Sequence, residues 1–382
     1  MHARGALAVV LVSASLVSVP RLAHGAQGLT FPPNGENPQA SVAQAIGPVR
    51  VTVDYSSPRV VRGDNDRRGK IWGELVPWGV SDLGLNDCKA CPWRAGANEN
   101  TTFTVTHAVK VQGQPLPAGT YGLHMIPGQE EWTIVFSKDS ASWGSYWYDP
   151  RQDALRVTTK PGKSDYHEWL TYEFTERNPD KATLVLKWED LQVPVSIGVD
   201  DVNALWVDNM RTDLRGWAGF TWQSWQQAAA FCAQNKVNLP EALRWAERAV
   251  SDPYSGGEEN FQTLETLSQL QALNGRADEA AKTFQKAVNH RTASPIQIHV
   301  AARQLLTRGQ KQEALQLFQL NARRFPNEWP VHVGLMRGYA ATGDRKRALQ
   351  EARLAVAQAP DELNRKSLQA AVKTLEQGKE LR

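Results

Sequence analysis

Between Val49 and Val199 apolar and polar residues alternate, the period of strands that bury one face. Phe103, Val105, His107, Val109 and Val111 share one face of a first run. Trp132, Ile134 and Phe136 share one face of a second, and Leu184, Leu186 and Trp188 of a third. Further strands are predicted at Arg50 to Ser56, Thr120 to Ile126, Ala154 to Thr159, Trp169 to Thr175 and Gln192 to Val199. Turn formers such as Pro127-Gly128 and Asn178-Pro179-Asp180 separate them. Roughly eight short strands with no helices between them predict an antiparallel β-sandwich or barrel.

After about residue 220 the period becomes helical and repeats itself. Gly275, Gly309 and Gly343 are spaced by 34 residues, each followed five residues later by Ala280, Ala314 and Ala348, and preceded by eight by Leu267, Ala301 and Leu335. Phe284, Phe318 and Ala352 share the next bulky position. That period, with small residues at helix crossings, resembles the tetratricopeptide pattern and predicts an α-helical repeat array with units near 261–294, 295–328 and 329–362. An earlier, irregular unit reads at Trp222 to Gln234 and Glu241 to Val250. The predicted organisation is a leader at 1–26, a linker at 27–48, a β-sandwich domain at 49–214 and a helical repeat domain at 215–382.

The leader reading rests on a basic start, an apolar run from Ala6 to Val19 and a polar exit through Pro20 and Arg21, the layout of a signal peptide cut near Ala26. It predicts a periplasmic or secreted protein with no membrane span after processing. The 43 Lys and Arg against 40 Asp and Glu give +3, or +1 without the leader's Arg4 and Arg21, which argues against nucleic acid as a partner. Export places Cys88 and Cys91 in an oxidising space, where a local disulfide is expected; zinc-binding and redox-active readings of the Cys-x-x-Cys remain open at this level. No second metal-type spacing accompanies the pair, so neither a metal nor a cofactor is expected. Cys232, within Ala228-Ala-Ala-Phe-Cys-Ala, reads as a small core residue.

Five segments stand out: Lys70-Ile-Trp-Gly-Glu-Leu-Val-Pro-Trp-Gly79, Trp93-Arg-Ala-Gly-Ala-Asn-Glu-Asn-Thr-Thr102, Leu116-Pro-Ala-Gly-Thr-Tyr121, Ile126-Pro-Gly128 and Glu131-Trp-Thr-Ile134. In order and spacing they resemble the bacterial exported domain-of-unknown-function family 2911, over about Asp54 to Val199, with Trp222 to Val250 similar to a helical tail seen in part of it. The resemblance implies a mostly β domain behind a signal peptide, often with tetratricopeptide-like helices, and no established activity. The insertion Val80 to Pro92, bearing both cysteines, departs from the family pattern.

Trp93, Arg94, Asn98, Glu99 and Thr101 concentrate an indole, a guanidinium, a carboxamide, a carboxylate and a hydroxyl, groups suited to a small polar or sugar-like ligand. The competing reading is a loop that holds itself, with Arg94 paired to Glu99, Asn98 capping and Gly96 supplying a positive φ. His107 reads as a core residue, whereas His124 faces either core or cleft. The segment Ser140 to Pro150 crowds Trp143, Tyr146, Trp147 and Tyr148 together, either as a ligand- or partner-facing surface or as a plug on the sandwich. The leading expectation is an exported, non-enzymatic binding or scaffolding protein with a small polar ligand or a protein or peptide partner. The alternative is a hydrolase-like or isomerase-like enzyme using Glu99 and His124 for acid–base chemistry, with Arg94 holding an anionic group.

Overall fold

The computed structural model describes residues 37–84, 88–326 and 328–381; the leader lies outside the described residues. The strands are β1 (Gln39–Ile46), β2 (Val49–Ser56), β3 (Val61–Arg62), β4 (Asn65–Asp66), β5 (Thr102–Val105), β6 (Val109–Val111), β7 (Gln114–Leu116), β8 (Gly119–Ile126), β9 (Trp132–Ser137), β10 (Asp153–Thr159), β11 (Gly162–Thr175) and β12 (Lys181–Gly198). One sheet runs β1-β2-β5-β8-β9-β10, a second β11-β12-β6-β7, and β3 with β4 forms a small ribbon. Antiparallel registers such as Val53 opposite Phe103 and Leu123 opposite Phe136 turn alternate residues inward. The two sheets meet across a sandwich core. Tyr55 packs edge-on to Tyr172 at 4.8 Å, and the Tyr55 hydroxyl accepts from the Tyr172 backbone N–H.

Three expectations for this half are corrected. Residues 27–48 are not all linker, because β1 occupies Gln39–Ile46 at the sheet edge. Phe103 to Val111 is two strands in two sheets, with the chain crossing over at Thr106 to Ala108, so shared parity fails beyond Val105. His107 is accordingly only half-buried and bonds the Thr106 hydroxyl at 2.9 Å rather than entering the core. The strands expected at Leu184 to Trp188 and Gln192 to Val199 are one strand, β12, ending at Gly198; Glu189 takes a left-handed φ of 54°, in the stretch where the β11–β12 register shifts.

The helices are α1 (Val202–Asp213), α2 (Trp222–Asn235), α3 (Leu239–Ser251), α4 (Phe261–Leu273), α5 (Ala277–Asn289), α6 (Pro295–Thr307), α7 (Lys311–Arg324), α8 (Trp329–Ala341), α9 (Arg345–Ala357) and α10 (Glu362–Glu376). The compact β unit runs to Gly198 and the helical unit from Val199, so α1 lies with the helices and not in a β domain reaching 214. Gly275, Gly309 and Gly343 each sit at φ near +80° in the turn between paired helices, at +81°, +80° and +86°, a conformation that suits glycine. Ala280, Ala314 and Ala348 are buried where the helices of each pair cross, and Cys232 is buried on α2.

Helix packs on helix along the array, and one buried core passes from Phe261, Leu264, Ala287 and Val288 into Ile298, Ala301 and Ala302 and on to Leu375. At the α5–α6 step Arg324 adds a polar tie, donating to the Val288 and His290 carbonyls. A cleft of about 1020 Å³ in the helical unit includes Glu265, Phe284, Arg308 and Leu320 in its walls.

Candidate functional site

The β unit contains a box of four indoles. Trp93 and Trp188 stack nearly parallel at 6.3 Å, while Trp72 meets Trp93, Trp132 and Trp188 edge-on at 5.2–5.7 Å. Strand parity buries Trp132 on β9 and Trp188 on β12. Trp93 is fastened to β8 by two backbone hydrogen bonds with Met125, at 2.7 and 2.8 Å. The indole N–H groups of Trp72, Trp132 and Trp188 are buried without an acceptor. A buried donor left unpaired costs about 1–3 kcal/mol, so three in one cluster call for an explanation.

Beside the box lies a cavity of about 270 Å³, with Trp93, Trp188, Ser145, Arg62, Arg67 and Arg94 in its wall. Apolar residues including Val76, Pro77 and Pro92 complete much of the lining, together with Cys91, which is disulfide-bonded to Cys88. Among the described residues its wall includes three arginines and no carboxylate. The Arg94 guanidinium lies 4.9 Å over the Tyr146 ring and donates to the Asn98 carbonyl.

Of the five residues predicted to hold a ligand, Trp93 and Arg94 line the cavity, and Asn98, Glu99 and Thr101 do not. Thr101 donates to the Ala95 carbonyl at 3.1 Å, Asn98 accepts from Asn37 at 3.1 Å, and Glu99 accepts from Gln39. Arg94 therefore does not pair with Glu99, which corrects the self-holding loop in that detail. Nor does Gly96 supply the positive φ; Ala95 and Asn98 do, at 53° and 57°. Gly96 is instead required by close approach, since a Cβ there would lie 2.6 Å from the Thr101 hydroxyl.

His124 is 2% exposed and shares a hydrogen bond of 3.0 Å with Ser145. Burial, reinforced by the Arg94 charge and opposed by Asp139, lowers its pKa to about 4. At neutral pH it is an uncharged imidazole that orients the Ser145 hydroxyl. Glu99 and His124 each bond elsewhere, so the expected acid–base pair is not assembled. The aromatic segment splits by parity: Tyr146 covers Arg94 and Tyr148 packs on His124 at 5.4 Å, while Trp143 and Trp147 point outward, 54% and 55% exposed.

Sequence reasoning missed Trp188, Ser145, Arg62 and Arg67 as cavity residues. Trp188 carried a parity signal for burial but none for a site. Among the described residues no group of His, Cys, Asp or Glu is arranged to hold a metal ion, and no helix is long and apolar enough to cross a membrane.

Residues 37–197 match the family model described as a protein of unknown function, DUF2911. No curated protein matches. Among solved structures the chain is similar to the TPR-like repeats of a kinesin light chain from Podosopora anserina, at 20% identity, covering 41% of this chain and 84% of that one with a TM-score of 0.30. It is also similar to YrrB, a TPR protein with an unusual peptide-binding site, at 17% identity, 44% and 84% coverage and a TM-score of 0.29. A third is a tetratricopeptide repeat protein from Parabacteroides merdae, at 12% identity, 46% and 68% coverage and a TM-score of 0.32.

Proposed function

We propose that this is an exported binding protein whose β unit takes a small ligand with an anionic group on a flat apolar body, and whose helical unit serves a protein partner. The observation that carries the ligand reading is the cavity wall. Arg62, Arg67 and Arg94 bring positive charge to the wall, while Trp93 and Trp188 supply flat apolar surface. The unpaired N–H of Trp188, on a residue of that wall, is a donor for which an anionic acceptor is the natural partner. A volume of about 270 Å³ falls just below the roughly 300 Å³ at which drug-sized ligand sites begin, which limits the ligand to a small one. The neutral His124–Ser145 pair adds a fixed hydroxyl, suited to recognition; with Glu99 bonded to Gln39, the acid–base reading has lost its partner. A leader-like start and a Cys88–Cys91 disulfide both favour export.

Titration calorimetry with benzoate and phenyl phosphate, against benzyl alcohol as the uncharged control, tests this. Saturable binding of the anions, lost in Arg94→Gln, is the expected result. Equal responses to the charged and uncharged probes would refute the ligand class. If Arg94→Gln unfolds the β unit, the residue is holding the loop and the reading fails at Arg94.

A further inference from the structure

The helical unit carries a second cationic feature, and it stands on a different face from the cleft of that unit. Arg303 on α6 and Arg337 on α8 occupy the same position of consecutive repeats, 34 residues apart. Neither meets a carboxylate among the described residues. Burial lowers the Arg337 pKa, and the neighbouring charge of Arg303 lowers it further; no acid opposes them. The Arg337 Nε is buried and has no acceptor. By contrast, Arg353 pairs with Glu376 at 3.1 Å, and His332 shares a hydrogen bond with Glu351 at 2.7 Å. Two like charges side by side, one with an orphaned donor, are a standing cost to the fold that an incoming carboxylate would remove.

Aliphatic surface lies along the same stripe of α6. Ile296 and Val300 are 62% and 46% exposed, and spacings of four and then three residues put them in line with Arg303. His299, in the same stripe, is not part of the open surface chemistry. Its Nδ1 lies 3.1 Å from the Pro330 carbonyl, and its ring faces Phe318 at 5.4 Å, locking α6 to α8. That close approach needs Gly334, where a Cβ would fall 3.1 Å from His299 Nδ1. The face is therefore held rigid before any partner arrives, which lowers the ordering cost of binding.

We propose that this α6–α8 face binds an acidic segment of a protein partner, with carboxylates on Arg303 and Arg337 and an aliphatic side chain on Ile296 and Val300. This deepens the partner half of the proposed function and is independent of the cavity in the β unit. Charge complementarity selects an acidic occupant, and the exposed aliphatic pair one turn away selects a peptide over a bare polyanion.

The test uses the full chain and fluorescence anisotropy with a short fluorescein-labelled peptide of alternating Glu and Leu, its Gln-for-Glu counterpart, and labelled heparin. The Glu peptide should bind and weaken with added salt. The change R303Q/R337Q should weaken it by about tenfold or more without lowering the melting temperature, because the substitution relieves a repulsion. Ile296→Ser should weaken the Glu peptide while preserving its preference over the Gln form. Three results would overturn the proposal: no binding of the Glu peptide, equal binding of the Glu and Gln peptides, or heparin binding that depends on the arginines while Ile296→Ser leaves the Glu peptide unchanged. Binding of benzoate in the β unit, and its loss in Arg94→Gln, report on the cavity alone, so failure of one reading is distinguishable from failure of the other.

Discussion

Replacing Gly334 with alanine sets two opposed effects against each other, and the structure decides which wins. Alanine is favoured over glycine in a helix interior by about 1 kcal/mol, so propensity alone makes Gly334→Ala stabilising. The new Cβ, however, would lie 2.5 Å from Cδ1 and 3.0 Å from Cε1 of Phe318. Carbon atoms in contact prefer roughly 3.5–4.0 Å, so ring and helix must part by about 1 Å. Phe318 is fully buried and also meets α8 at Gly338, where a Cβ would lie 2.9 Å from its Cδ2, so the ring cannot swing toward the next turn. Overpacking of this kind costs about 1–3 kcal/mol, leaving a net loss of up to about 2 kcal/mol. Urea unfolding followed by far-UV circular dichroism reads it directly. Phe318→Leu makes room for the methyl group, so the double variant should be less destabilised than the two single losses added, by at least about 0.5 kcal/mol. Gly334→Ala at or above parental stability, or strict additivity with Phe318→Leu, would refute the argument from close packing.

Other outcomes follow from features of both units. Lowering the pH should weaken the β unit through His124: its folded pKa, about 4, lies below its ordinary 6.5, so its contribution is complete above pH 6.5 and drains away toward pH 4. The loss is on the order of 3 kcal/mol, and His124→Gln should flatten the acid limb of stability against pH; an unchanged limb means the imidazole is not held neutral. Changing Cys88 and Cys91 both to Ser should cost no more than about 2 kcal/mol, because so short a loop constrains the unfolded chain little; thermal melts with and without reductant measure it. Trp188→Phe removes an unpaired donor, so it should weaken benzoate binding more than it lowers the melting temperature, and the reverse ranking counts against an anion at that N–H. N-terminal sequencing of protein from the native cell envelope should begin near Ala26 or Gln27, and intact Met1 there would contradict export.

What could be read from the sequence was whatever has a short period. Strand alternation is a property of nearby residues, the 34-residue spacing of Gly275, Gly309 and Gly343 is a short helical pattern repeated, and both survive in the fold. The misses come from positions where no bulky period exists or where the chain changes sheet. Strand β1 reads Gln39-Ala-Ser-Val-Ala-Gln-Ala-Ile46, with only Ile46 buried, so its alternation has little amplitude. Helix α1 buries only Val207, too few apolar positions to announce a helix. His107 was placed by extending parity across a crossover that the pattern does not reveal. The cavity divides the same way: Trp93 and Arg94 stand together in one motif, whereas Trp188 and Ser145 come from distant segments that only the sheet topology brings to it.

The division of the helical core into two buried clusters bears on how the array carries load. In a linear stack, cooperativity passes only from neighbour to neighbour, so the seam with the least shared surface sets where the array gives way. One buried cluster holds α1 to α3 together with Leu270, and a second runs from Phe261 on α4 through Val288 and Ile298 to Leu375 on α10, so α4 to α10 share a continuous core and the array should give way first where the two clusters meet. A partner seated on α6 and α8 would stiffen the block that begins at α4, and tension arriving through it would be relieved where the two clusters meet before it reached α1 to α3.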